Sequence, residues 1–416
     1  MSRFVISHIF DPDSNPFDRQ ERISWWSQEN ISRANVMVAG AGAIGNETLK
    51  NLALLGFRNF FILDFDTIST SNLSRTLLFR PEDKGRKKAE VAAERTRELC
   101  LADNPRIDWF HGDVVWDLGT GAFRAMDVVL GCLDNAETRF AINRQCWLAQ
   151  TPWVDAGIYE LAGAVSLFIP GKPPCYQCGA TKEQLEAARL RYSCDDFKRV
   201  LSEQGKVATV QVASAIASAI QVQEAVKLIC GQEVAAGKKI YFQGKNNDFS
   251  LLNYPVNPQC TAHATYTEVT PIQMSYEAML RDFLEFVSRE ELSGKGATLD
   301  FRGDRTFVVS APCRRLCGRS VELLKPNFRV FEHDVICADC NERDDGAVVA
   351  DGATKPNQVA PGTFSLEETE ERILRMTLRE LGVPPLHIVA VADRSKAYRY
   401  YELSADGHSL FPSRFS

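Results

Sequence analysis

The pattern that most limits what this chain can fold into lies between Asn35 and Asp64. Asn35–Ala39 is a short apolar run and Gly40-Ala41-Gly42-Ala43-Ile44-Gly45 a glycine turn. Residues 46–55 form a helical stretch, and Asn59–Leu63 is a second apolar run that ends on Asp64. Strand, glycine turn, helix and strand in that order make a β-α-β unit with parallel strands, because the crossover helix returns the chain to the same end of the sheet. The alternation continues with a helix over 86–100, a strand over 127–132 and a helix over 137–149. Such alternation predicts a parallel sheet covered on both faces. Residues 153–169 read as further strand with breaks at Gly157 and Gly163, 207–230 as a long Ala-rich helix, and 239–242 and 249–253 as short strands. The expected class is α/β: a Rossmann-like, doubly wound, mostly parallel sheet.

At 416 residues the chain is long for one core, so two domains are expected, 1–273 and 274–416. The first opens with an amphipathic helix or helix pair over 17–33. The second reads as a smaller α+β unit, with a helix over 276–290 and strands over 298–301 and 306–310. Residues 344–363 are loop-like, rich in Gly, Pro, Ala and Asp. A helix over 366–381 is stopped by Gly382 and Pro384-Pro385, and strands over 386–392 and 397–403 follow.

A net charge of -6 argues against a nucleic-acid groove, which needs a basic face. Residues 1–18 are polar and acidic and do not read as a secretory signal. The most apolar stretch, 207–230, carries Gln211, Gln221, Gln223, Glu224 and Lys227. A lipid-facing helix rarely tolerates these, so a core helix and no membrane partner are expected. The location expected is cytoplasmic. Twelve cysteines in such a chain point to metal or catalysis rather than disulfides. Cys100, Cys132, Cys146 and Cys230 lie in apolar or helical settings that suit small buried side chains.

The glycine turn places backbone amides at a helix N-terminus, where phosphate is favoured, and Asp64 stands where an acid takes ribose hydroxyls. Alone, this is equally the fingerprint of a dehydrogenase. Three further strings add what nucleotide binding by itself does not require: Asp64-Phe65-Asp66, Ser71-Asn72-Leu73-Ser74-Arg75 and Cys132-Leu133-Asp134-Asn135. Arg75 offers a forked cation for a polyphosphate and Lys88 a point charge; the neighbouring Arg86 and Lys87 read as a solvated helix face. Asp134 follows an apolar strand at the carboxyl edge of the sheet, where ligands bind in such folds. There a carboxylate can hold Mg2+ against departing pyrophosphate. Together the strings describe cleavage of ATP between its α- and β-phosphates.

In order and spacing these strings resemble the ubiquitin-activating superfamily, over roughly 17–263. That family includes the ThiF-type (ThiF/MoeB) adenylyltransferases of thiamine and molybdopterin synthesis and the activating enzymes of ubiquitin-like proteins. The resemblance implies adenylation of the C-terminal glycine carboxylate of a β-grasp protein. It implies a nucleotide site of Gly40, Gly42, Gly45, Asp64, Asp66, Asn72, Arg75, Lys88, Asp134 and Asn135, using ATP and Mg2+. Phe17-Asp18-Arg19-Gln20 is similar to the family's N-terminal aromatic-x-Arg-Gln element, whose arginine reaches the partner's ATP across a dimer. A homodimer sharing Arg19 is implied, although Pro16 stands where an arginine usually precedes the aromatic residue.

Cys175-x2-Cys178 is a zinc-knuckle pair, and Cys260-x2-His263 supplies a second pair, enough for a closed tetrahedral site. The separation agrees with the family, which usually has cysteine in place of His263. Cys313-x3-Cys317 with Cys337-x2-Cys340 has zinc-ribbon spacing, the alternative being buried free thiols; with it, two zinc ions per chain are expected. Cys194 fits neither set. It lies where thioester-forming family members carry their nucleophile, between Arg189 and Arg191, which lower a thiol pKa, and Asp195 and Asp196, which raise it. The alternative is a bystander thiol.

The leading expectation is therefore an enzyme that activates a ubiquitin-like protein and passes it from Cys194 to a conjugating enzyme, with the second domain as docking module. In layout the chain resembles activating enzymes of bacterial ubiquitin-like conjugation operons, some of them linked to antiviral defence. A sulfur-carrier adenylyltransferase without a thioester is the first alternative, and the second domain shows no rhodanese-like cysteine loop. An NAD-dependent oxidoreductase is a remote one, since it leaves Arg75, Lys88 and Asp134 without a task. A non-catalytic scaffold leaves the whole polar set unexplained.

Overall fold

The computed structural model describes residues 15–185, 208–266, 268–292, 296–301, 305–315, 317–341 and 359–414. Cys194 and most of the loop expected at 344–363 lie outside them.

The main sheet holds β1 (Asn35–Ala39), β2 (Asn59–Leu63), β3 (Arg106–Phe110), β4 (Val128–Gly131), β5 (Trp153–Tyr159), β6 (Ala162–Phe168), β7 (Lys238–Gln243) and β8 (Asp248–Asn253). Its order is β3-β2-β1-β4-β5-β6-β7-β8. The strands from β3 to β5 are parallel, and β6, β7 and β8 continue as an antiparallel meander. β1, β2 and β4 are nearly unbroken apolar runs because both of their faces are covered.

The crossover segments supply α1 (Asp18–Glu21), α2 (Gln28–Arg33), α3 (Ala43–Leu54), α4 (Lys88–Leu99), α5 (Thr120–Arg124), α6 (Ala136–Ala149) and α7 (Gln211–Ile229). α3, α4 and α7 pack on one face of the sheet and α5 and α6 on the other. Among the described residues α7 is the one helix long and apolar enough to cross a membrane. Its Ala213, Ala217 and Ala225 are fully buried in the core beneath α3. Gln221, equally buried, accepts from Thr48 Oγ1 (2.9 Å) and donates to the carbonyls of Gly131 (3.0 Å) and Val154 (2.8 Å).

Two readings of this region need correction. Gly157 and Gly163 do not break a strand; they lie inside β5 and β6, and the hairpin turns at Glu160, with φ 50°. What needs glycine is space: a Cβ at Gly163 would stand 2.5 Å from the Phe242 ring. β3 has no counterpart in the sequence reading, because an edge strand carrying Arg106, Asp108 and a partly exposed Trp109 lacks the apolar run of its neighbours.

A second sheet follows. β9 (Val269–Ile272) and β10 (Thr298–Asp300) belong to it, and β11 (Phe307–Pro312) and β12 (Ser320–Pro326) form a separate hairpin. β13 (Thr363–Ser365), β14 (Ile388–Ala392) and β15 (Tyr398–Leu403) complete the order β13-β10-β14-β15-β9. The helix expected over 276–290 runs Leu280–Phe286 and ends in a π turn over Val287–Glu291. The helix expected over 366–381 is not formed: only Glu371–Leu374 is helical. The backbone that follows is claimed elsewhere, since Leu280 N donates to Met376 O, Leu378 N to Ala278 O and Arg379 N to Tyr276 O. Tertiary pairing has overridden a local helical pattern.

The second unit helps to cover the main sheet. Leu386, Leu410 and Phe411 join the core on the α5–α6 face, where Phe411 meets Phe61 edge-on at 4.9 Å between ring centroids. Asp108 of β3 accepts from both Ser413 N and Oγ. Gly119 N and Gly121 N donate to the carbonyls of Pro385 and Leu386. A Cβ at either glycine would lie within 2.5 Å of that backbone, so both contacts require glycine.

Candidate active site

A cavity of about 870 Å³ opens at the carboxyl ends of β1, β2 and β4, where the strand order reverses and ligands bind in open α/β sheets. Gly40, Gly42, Asp64, Asp66, Asn72, Arg75, Lys88, Asp134 and Asn135 all line it. These were read from four separate strings and, for Lys88, a basic run at a helix start, and the fold brings them to one cavity. Gly45 is not on the lining. Its Cβ would stand 1.9 Å from Gly40 O, so it lets the turn close. Gly40 has φ +98°, open to glycine, and a Cβ there would strike Cys132 O at 2.5 Å. Gly42 has open space where its Cβ would lie, leaving the α3 N-terminus bare to an anion.

The turn is braced from both sides. Asp64 Oδ2 accepts from Ala41 N at 2.7 Å and Oδ1 from Asp66 N at 2.8 Å. Burial pushes the Asp64 carboxyl above its ordinary range, opposed mainly by the Lys88 ammonium. Lys88 is nearly buried and pairs with Asp66, Nζ to Oδ2 2.6 Å, so the cation rests poised over the cavity. Asn46, which the sequence reading passed over, donates to the carbonyls of Ala41 (2.8 Å) and Gly42 (3.0 Å) and accepts from Leu78 N (2.8 Å). It joins the glycine turn to Leu78, three residues past the Asn72–Arg75 loop; a lone asparagine at a helix start carries no signal of that. In the loop itself, Asn72 Oδ1 accepts from Ser69 N at 2.9 Å, and Arg75 Nη1 donates to Ser71 O at 2.7 Å.

Asp134 is exposed at the rim between β4 and α6, its Oδ1 3.4 Å from Asn135 Nδ2. A carboxylate so lightly engaged has lone pairs for a hard cation, and the residues present fit Mg2+. Asn135 caps α6 by accepting from Thr138 N at 2.8 Å, which fixes where that loop ends. Arg19 does not line the cavity. Its neighbour Gln20 donates to Leu55 O, and Phe17 packs on Gly56. α1 therefore sits at the far end of α3, about 18 Å along that helix from the glycine turn.

Cys175, Cys178, Cys260 and His263 converge, their ligand atoms within 4.8 Å of one another. Sγ–Sγ distances of 3.8 and 3.6 Å match the edge of a tetrahedron about 3.8 Å across that Zn–S bonds of about 2.3 Å define. His263 Nε2 stands 3.2 Å from Cys178 Sγ and stacks on Trp147. Cys313, Cys317, Cys337 and Cys340 converge as tightly between the β11–β12 hairpin and the segment after it. Both sets can hold zinc. Cys132 and Cys146 are instead core thiols. Burial pushes Cys132 up to about 12 and Cys146 well above its usual value, so both stay protonated. The segment bearing Cys194 is outside the described residues, but Gln184 before it and Thr209 after it both line the cavity.

An open α/β sheet with a glycine turn, two cations lining the cavity beside it and a rim carboxylate defines a nucleotide-binding protein of the doubly wound class. Residues 17–262 match the model of the ThiF family, and the chain belongs to that family. Among curated relatives it is similar to the SUMO-activating enzyme subunit uba-2 of Caenorhabditis elegans, 40% identical over 159 residues, which is 37% of this chain and 27% of the relative. It is similar also to ubiquitin-like modifier-activating enzyme 5 of Dictyostelium discoideum, 31% identical over 185 residues, 40% of this chain and 48% of that one. The matches thus span less than half the length of these relatives. Escherichia coli MccB, solved with succinimide, shares the fold at 21% identity and a TM-score of 0.50, over 61% of this chain and 74% of that one.

Proposed function

We propose that this protein adenylates the C-terminal carboxylate of a ubiquitin-like protein and then carries it as a thioester on Cys194 for transfer to a conjugating enzyme. The observation that carries the reading is the convergence of Asn72, Arg75, Lys88 and Asp134 on one cavity beside the glycine turn. A dehydrogenase has no use for that set. In the first step a substrate carboxylate oxygen attacks the α-phosphorus of ATP, the bond to the bridging oxygen breaks and pyrophosphate leaves. Arg75 and Lys88 hold the departing phosphates, the glycine turn receives phosphate oxygens at the helix N-terminus, and Asp64 takes the ribose end. Asp134 would hold Mg2+, which when bound offsets the charge that develops on pyrophosphate.

In the second step the Cys194 thiolate attacks the acyl carbon and AMP leaves. The cavity residues Gln184 and Thr209 bracket the segment that bears this thiol, which supports the assignment. Arg19 does not line its own cavity, and the reading has it serve the partner's across a homodimer. We assign zinc to both cysteine sets as a structural ion, and the proposed thiol chemistry supports a reducing, cytoplasmic compartment.

The test is ATP–pyrophosphate exchange with a glycine-terminated β-grasp protein, followed by a search for a reductant-sensitive adduct. Exchange is expected in wild type and in Cys194→Ala, and the adduct in wild type alone. Lack of exchange refutes the adenylation reading. Exchange with no adduct turns the reading to a sulfur-carrier adenylyltransferase.

A further inference from the structure

Beside Asp134 lies an ion pair with no part in the chemistry above. Arg139 Nε and Asp155 Oδ1 stand 3.0 Å apart, with side chains only 17% and 10% exposed. Burying two charges is costly unless each is further engaged. Arg139 is: its Nη2 donates to Leu133 O at 2.7 Å and to Ala156 O at 3.1 Å. Leu133 immediately precedes Asp134, and Ala156 lies on β5.

The pairing of β4 with β5 ends at Gly131 and Asp155. Past that point ladder hydrogen bonds no longer tie the chain leaving β4 to β5, and the Arg139 fork takes over the task. Gly157 makes the room. A Cβ there would stand 2.8 Å from Nη2, and the φ of Gly157 is not in the left-handed region. Glycine is needed at 157 by the guanidinium and not by the backbone.

The geometry points to Arg139 as a positioning residue: braced by Asp155, it fixes the Leu133 carbonyl and thereby holds Asp134 where a divalent cation on the phosphates of ATP is met. This rests on the adenylation reading for its purpose, but not for its test. Arg139→Lys keeps a charge opposite Asp155 and loses the fork. Gly157→Ala keeps both ions and displaces the fork, so it serves even where the lysine variant fails to fold.

Each variant is measured by calorimetry for ATP affinity with and without Mg2+, beside pyrophosphate exchange. In wild type Mg2+ tightens ATP binding. In both variants ATP alone binds within about twofold of wild type, while the gain from Mg2+ and the kcat of exchange each fall about tenfold or more, the usual effect of losing a group that orients a metal ligand. A Mg2+ gain equal to wild type in the folded variants overturns the proposal. So does an equal loss with and without Mg2+, which means Arg139 grips the nucleotide itself, and so does a wild type that gains nothing from Mg2+. A wild type without exchange whose Mg2+ gain disappears in the variants refutes adenylation and leaves the positioning role standing.

Discussion

Asp134 and Asp64 both line the cavity, yet their surroundings suit them to different tasks. Asp64 is bound up in backbone hydrogen bonds to the glycine turn, so it is part of the cradle. Asp134 is exposed and lightly held, so it is free to take a cation. Asp134→Ala is therefore expected to lower pyrophosphate exchange by about 100-fold or more, on the scale of losing one charge-stabilising group. Stability should stay within about 0.5 kcal/mol, as for other exposed positions. A thermal melt beside the exchange assay checks both halves, and a folded variant with full exchange removes Asp134 from the site. At this scale the cavity residues were legible because most sit in short strings close after an apolar strand, and Lys88 in a basic run that opens a helix. Asn46, Arg139 and Asp155 were not, because a polar residue inside a helix or strand declares its partner only when the tertiary contact forms.

Among elements, the two cysteine sets behave as clamps between segments far apart in sequence. The first joins the turn after β6 to the end of the main-sheet unit, and Tyr176, between two of its ligands, donates its N–H to Asn143 Oδ1 of α6 at 3.0 Å. Packing presses the Cys175 thiol up to about 12 through burial, so metal entry must displace protons there. Two zinc ions per chain are expected by metal analysis. Cys260→Ser and Cys337→Ser should each remove one and leave the other. A single equivalent in wild type, lost only with Cys260, would make the second set plain thiols. The spacing of these cysteines is visible in the chain, whereas the failed helix over 366–381 was not foreseeable. Its residues have helical periodicity, and the loop at 276–280 takes its hydrogen bonds.

On the scale of the whole molecule, the C-terminal residues belong structurally to the sheet that binds the nucleotide. Leu386, Leu410 and Phe411 fill the core beside α5 and α6, and Ser413 closes on β3. Phe411→Ala removes a ring that is 3% exposed and should cost about 3–5 kcal/mol. A chain cut after residue 273 would bare that apolar face and should aggregate. Denaturant melts of the variant and light scattering of the truncated chain check this. A truncated chain that stays soluble with an unchanged melt would make the second unit a tethered appendage.

What the sequence by itself determined is the β-α-β beginning, the short strings whose polar residues line one cavity, and the ligand spacing of both cysteine sets. Each of these is written in local strings, where turn geometry, apolar periodicity and ligand chemistry act over a few residues. Only the tertiary structure decided that Arg139 braces the loop of Asp134 against β5, that β9 joins the second sheet beside β15, and that the last residues cap the first sheet. Those contacts join positions far apart in the chain, and no local pattern records which buried charge or apolar ring will find which partner when the layers close.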